Sequence, residues 1–214
     1  MDDLRLRKGA ATRERLVAAA FDLFGRHGYE GTSIEAILEA TGVKRGALYH
    51  HFDGKKALFV AALDGAIARI AETSGRAARA AGPDPVDALR AGCAAWLDLA
   101  MDPTIQRVVL LDPMAVVGWD HLRALDEKHT LGGLRRNLEL IARRGRLPAA
   151  QVDLLAHILL ASLTELALHV ARATDQPAAL TAAKSALTLL LDRLLLVDQG
   201  SLGGLERSRP PKLP

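Results

Sequence analysis

Between residues 32 and 54 the chain starts a helix twice and breaks it twice, and no other segment restricts the fold as much. Thr32-Ser33-Ile34-Glu35 has the spacing of a capping box, with Thr32 as the cap and Glu35 reaching back. The short helix it opens runs to about Ala40. Thr41-Gly42-Val43 then makes a tight turn, in which Gly42 takes positive φ without steric cost. A second short helix is predicted over 44–51. Asp53-Gly54 breaks the chain again, with Asp53 placed to cap the next helix. Two short helices joined by a glycine-bearing turn form the helix-turn-helix pattern.

The second helix reads Lys44-Arg45-Gly46-Ala47-Leu48-Tyr49-His50-His51, followed by Phe52. Leu48 and Phe52 stand four apart and are predicted to face inward, leaving the other side chains outside. Residues 43–52 hold two Lys/Arg, two His and no acid, so this surface suits a polyanion. Gly46 and Ala47 add little bulk, which lets the backbone approach base edges. Arg45 can fork onto guanine, and Lys44 reaches guanine or phosphate. Tyr49 offers a hydroxyl to phosphate and a ring to a thymine methyl.

The rest of the chain reads as helix. Half of the 214 residues are hydrophobic but only 4% are aromatic, so the apolar content is mainly Ala and Leu, both good helix formers. Long alternating runs are absent, and the fold class expected is all-α. Residues 1–8 read as charged and frayed. A first helix over 10–27 has its stripe at Leu16, Ala20, Leu23 and Phe24 and stops at Gly28. Further helices are expected over 55–80, 86–101, a short stretch between Asp102-Pro103 and Asp112-Pro113, 119–144 with a break at Gly132-Gly133, 150–173 and 178–197. The segment 113–118 reads as an apolar connector, and the Gly-, Pro-, Ser- and Arg-rich tail 199–214 as disordered.

The stretch 16–59 resembles the N-terminal domain of TetR-family (tetracycline-repressor) regulators, above all Gly42-Val43-Lys44-Arg45-Gly46-Ala47-Leu48-Tyr49-His50-His51-Phe52 followed by Lys55 and Leu58-Phe59. Phe24, Gly28-Tyr29 and Thr32-Ser33-Ile34 fit the same pattern. The resemblance implies a three-helix helix-turn-helix domain over 1–54 and a helical ligand-sensing and dimerisation domain over 55–198. It implies a homodimer on a palindromic operator, most often a repressor released by a small ligand. Helix 44–51 would enter the major groove, with Lys44, Arg45, Gly46, Ala47 and Tyr49 towards bases. Thr32, Tyr49, His50 and Lys55 would hold phosphates, helped by the dipole of the helix that starts near Lys55, and DNA also accounts for His51. Three positions depart from the pattern. Leu38 stands where a small residue is usual between the motif helices, and Gly54 and Lys56 replace the usual polar cap and Glu.

Beyond about residue 60 there is no short motif. In the last two helices apolar residues cover more of the circumference than a surface helix needs. The stripes Leu155, Leu159, Leu163, Leu166 and Leu187, Leu191, Leu194 are therefore expected at a homodimer interface, as a two-helix share of a four-helix bundle. A small apolar or amphipathic ligand is expected among Trp96, Leu99, Val109, Met114 and Trp119, with Asp112 and His121 as polar groups.

Other classes fit poorly. The net charge is only +3 from 28 Lys/Arg and 25 Asp/Glu, so a histone-like binder is not indicated. Cys93 is the single cysteine and reads as core, so no internal disulfide forms. The chain opens Met1-Asp2-Asp3 without an apolar leader. Its most apolar stretch, 185–197, is interrupted by Asp192 and Arg193, which points to the cytosol and no membrane partner. No HxxxH or CxxC spacing supports a metal, and no cofactor is expected. An enzyme would need a paired set, but Asp120 and His121 are neighbours that do not share a helix face. Neither a phosphate loop nor a nucleophile elbow occurs.

Overall fold

The structure is a computed structural model and describes residues 2–195, which are helical with no strand among them. The helices are α1 (Asp2–Gly31), α2 (Ile34–Thr41), α3 (Arg45–His51), α4 (Gly54–Ala80), α5 (Pro85–Leu99) and α6 (Pro103–Ile105), the last continued by a π-helical stretch, Gln106–Leu111. Then come α7 (Pro113–Val116), α8 (Trp119–Asp126) with a second π-helical stretch, Glu127–Leu131, and α9 (Gly132–Arg143). A 3₁₀ turn, Ala149–Gln151, leads into α10 (Val152–Arg172), and α11 (Gln176–Leu195) closes the fold. The tail expected to be disordered over 199–214 lies outside the described residues.

Several boundaries differ from the sequence reading for local reasons. Helix α1 starts at Asp2, not near Ala10, so residues 2–8 continue the helix instead of fraying. Gly28 does turn the chain, at φ 73°, and one more turn of helix follows it. The cap of α2 is Ser33 and not Thr32: Ser33 is extended, and its Oγ accepts from the Ala36 amide at 3.1 Å. One residue of register decides this, because the buried Thr32 turns its hydroxyl inward, 2.8 Å from the Gly28 carbonyl and 3.1 Å from that of Leu23. Asp53 makes no capping bond to α4; Gly54 takes φ 82° at that entry. The connector 113–118 contains the short helix α7, and the expected break in 119–144 falls on the π-helical stretch just ahead of Gly132.

Two cores organise the molecule. The first joins Leu16, Ala20 and Phe24 of α1, Ile37 of α2 and Leu48 of α3 to Leu58, Phe59 and Leu63 of α4, and it takes in Val108 and Leu125. Phe24, Tyr29 and Phe59 pack ring on ring at its centre, with centroids 5.1–5.8 Å apart. A domain division at residue 54 therefore cuts through this core, since the first half of α4 completes it. The second core gathers α5, α9, α10 and α11 around Leu89, Trp96, Leu97, Leu138, Ile141, Leu159 and Leu191. Cys93 lies in it, and burial pushes its thiol up to about 12, consistent with a packing role. Helix α4 reaches from one core to the other.

Residues 149–172 are long and apolar enough to cross a membrane by length and composition. One face of α10 instead forms part of the second core, through Val152, Ala156, Leu159, Leu160, Leu163, Ala167 and Val170.

Candidate nucleic-acid interface

Helix α3 is anchored by Leu48, which is fully buried, and by Val43 and Phe52 on either side of it. Gly42 at φ 65° closes α2, donating its amide to the Leu38 carbonyl at 2.8 Å, and so sets the angle between the two helices. Leu38 is only half-buried and packs at the edge of the core, so its bulk is accommodated.

These anchors leave Lys44, Arg45, Gly46, Tyr49 and His50 exposed, with Ala47 and His51 half-buried on the flanks. A Cβ added at Gly46 would meet nothing within 4 Å, so this part of the helix surface is open. Arg45 pairs with Glu35 of α2 at 2.6 Å; a backbone hydrogen bond at its own amide, and after it this pair, lowers the Glu35 carboxyl. Both partners are more than half exposed, so water screens the pair and little holds Arg45 back from another acceptor. No acid lies in the first turn of α3 or of α4, and His50 and His51 fall in the last turn of α3. Lys55 is held where α4 meets α1: its Nζ donates to the Tyr29 carbonyl at 2.9 Å and sits 4.3 Å from the centre of that ring. An ammonium has three donors, so two remain for another oxygen. Lys56 beside it is exposed. Thr32 does not share this surface, because its hydroxyl is buried under Gly28.

The residues expected around a ligand separate into three places. Trp96, Leu99 and Val109 belong to the second core or pack against it. Met114 and Trp119 are more than half exposed, with the Arg123 guanidinium 5.3 Å from the Trp119 ring centre. Asp112 does not face a pocket. Its Oδ2 accepts the Tyr29 amide at 2.8 Å, and Arg107, 3.5 Å from the other oxygen, stands over Gly28. A contact 83 residues apart in sequence thus ties the π-helical stretch to the end of α1. None of the seven expected residues lines either of two open grooves of about 380 and 390 Å³. Trp96 Nε1 and His121 Nε2 are nevertheless buried without a hydrogen-bond partner.

The expected dimer stripe also needs correction. Leu159, Leu163, Leu187 and Leu191 are buried inside this chain, and Leu155, Leu166 and Leu194 pack against the same core. The neighbouring faces are the open ones. On α10 Leu154 is 63% and Ile158 49% exposed, with Ala161 next along; on α11 Leu189 is 60% and Leu190 39% exposed, beside Ala182 and Ala186.

A buried-anchored reading helix, free of acid and bracketed by cations, defines a helix-turn-helix DNA-binding regulator. Comparison with known proteins agrees. Residues 16–62 match the bacterial regulatory proteins of the tetR family, and residues 86–194 match a tetracyclin repressor-like C-terminal domain. The HTH-type transcriptional repressor AcnR of Corynebacterium efficiens is 32% identical over 148 residues, which are 65% of this chain and 71% of that one. The crystal structure of a TetR-family transcriptional regulator from Pectobacterium atrosepticum superposes with a TM-score of 0.77 at 32% identity, covering 90% of this chain and 98% of the other. The regulator FadR from Bacillus subtilis, solved in complex with stearoyl-CoA, shares the fold at a TM-score of 0.69 and 18% identity, over 85% and 97% of the two chains. The chain belongs to the TetR family of transcriptional regulators.

Proposed function

We propose that this protein is a repressor that binds a palindromic operator as a homodimer in the cytosol and lets go of it when a small ligand binds. The observation that carries the reading is the exposed, acid-free surface of α3. Lys44, Arg45, Gly46, Ala47 and Tyr49 read base edges, while Tyr49, His50, His51 and Lys55 hold phosphates. The AcnR repressors among its relatives support repression over activation.

Two further features support the dimer and the ligand. Helices α10 and α11 pack on each other and each keeps an open apolar face, which a two-fold copy would cover. The partnerless Trp96 N–H and His121 nitrogen lie in the helical half and would be satisfied by a ligand's polar groups. Opening a site there displaces the π-helical stretch 106–111. Asp112 then pulls on the Tyr29 amide, and the tilt passes to α1, α4 and the reading helix.

The test is operator selection from random duplexes, followed by fluorescence anisotropy. A two-fold symmetric consensus is expected, with affinity falling by orders of magnitude between about 50 and 200 mM salt. Adding stearoyl-CoA, or a simple phenol as a smaller probe, tests release. Salt-insensitive affinity, or no enriched sequence, refutes DNA recognition. Unchanged affinity across a broad panel of such compounds refutes the ligand step alone.

A further inference from the structure

Among residues 7–31 of α1, Leu16 is the first fully buried one. Residues 7–15 therefore precede the core, about 14 Å of helix at 1.5 Å per residue. Two contacts join this segment to the end of α3. A Cβ at Gly9 would lie 3.8 Å from the His51 ring, and the Arg13 guanidinium stands 5.2 Å from the Phe52 ring centre. Residues 4–13 carry Arg5, Arg7, Lys8 and Arg13 and no acid. Arg7, Lys8 and Arg13 are exposed.

We propose that the basic start of α1 is a second DNA contact, gripping the sugar–phosphate backbone that borders the major groove on the His51 side of α3. This rests on α3 being the reading helix. The geometry follows from helix dimensions. Packed helices lie 8–10 Å apart, and the major groove is about 12 Å wide, roughly one helix. A helix beside the one in the groove therefore lies over the bordering backbone strand. At the other end of α3, Arg45 pairs with Glu35 of α2. The start of α1 is continuous with the reading surface and carries the charge that phosphates need. It specifies no base, because Lys and Arg on a backbone position the protein without reading sequence.

The experiment replaces the charge and keeps the helix: Arg7→Gln with Lys8→Gln, compared with wild type by anisotropy on the selected operator from about 50 to 200 mM salt. Each lost phosphate contact flattens the slope of log K against log salt by about 0.9, so two to four contacts per dimer flatten it by roughly 2–4. Over that salt range the variant then loses about ten- to a hundredfold less affinity than wild type. Hydroxyl-radical footprints are expected to lose protection at one edge of each half-site, with the selected consensus unchanged. Lys8→Glu is expected to weaken binding further at low salt. A variant with the wild-type slope and footprint overturns the second contact alone. A wild-type protein that selects no DNA overturns the repressor reading with it.

Discussion

Replacing Ile158 by aspartate is expected to split the dimer without unfolding the protomer. The exposed fractions of Leu154, Ile158, Leu189 and Leu190 amount to about two whole leucine side chains per protomer. Burying one such side chain is worth about 1.5–3 kcal/mol, so covering these faces on both copies supplies roughly 6–12 kcal/mol. Association itself costs about 4–15 kcal/mol, so the margin is narrow. An aspartate at 158 removes about 1 kcal/mol of apolar burial per copy. It also places a carboxylate in the seam twice over, at a further cost of several kcal/mol. The dimer dissociation constant is expected to rise at least about a thousandfold, since about 4 kcal/mol separates three decades. Sedimentation equilibrium at low micromolar protein reads this directly, and operator affinity falls with it, because one particle no longer carries two reading helices. Leu191→Asp is the contrast: Leu191 is buried within its own chain, so that variant loses its cooperative thermal transition. An Ile158→Asp protein that sediments as wild type, with unchanged operator affinity, refutes the assignment of this face.

Three other outcomes follow from the geometry. Arg45→Ala is expected to relax the consensus at one position per half-site at a cost of about 1–3 kcal/mol, whereas Lys55→Ala weakens all sequences alike; binding-site selection with both variants separates the two. Gly28→Ala puts a Cβ 2.7 Å from the Arg107 guanidinium at a φ of 73°, so its melting temperature falls, and an unchanged midpoint contradicts the tight seat of α1 on the π-helical stretch. Burial raises the Asp126 carboxyl to about 6, with Arg123 and His157 pulling it back down. Its folded pKa lies above its unfolded one, so its contribution is complete below about pH 4 and is lost as pH rises through about 6. Asp126→Asn is therefore expected to raise the melting temperature more at about pH 8 than at about pH 5; equal shifts at both count against it.

Helix α3 was legible because its signals are local. Gly42 must turn, Leu48 and Phe52 must face inward four residues apart, and no acid interrupts the outer surface. Ser33 displaced Thr32 as cap because two adjacent hydroxyl residues look alike in sequence, and only the fold shows which one sits under Gly28. The open faces of α10 and α11 were hidden for a different reason. A helix that is apolar nearly all round does not say which stripe meets its own chain, and α5, α9 and α11 cover the Leu159–Leu163 side of α10. Asp112 was misread because its partner, the Tyr29 amide, is a backbone group far away in sequence.

The π-helical stretch 106–111 is wound with one residue more than α pitch would hold. If that residue slipped and the segment rewound to α, everything beyond it would turn by about 100°. Asp112 is the first residue beyond it, so such a turn would carry its carboxylate away from the Tyr29 amide that it accepts here. The segment's registry and the seating of α1 are thus one choice, made by a single slipped residue.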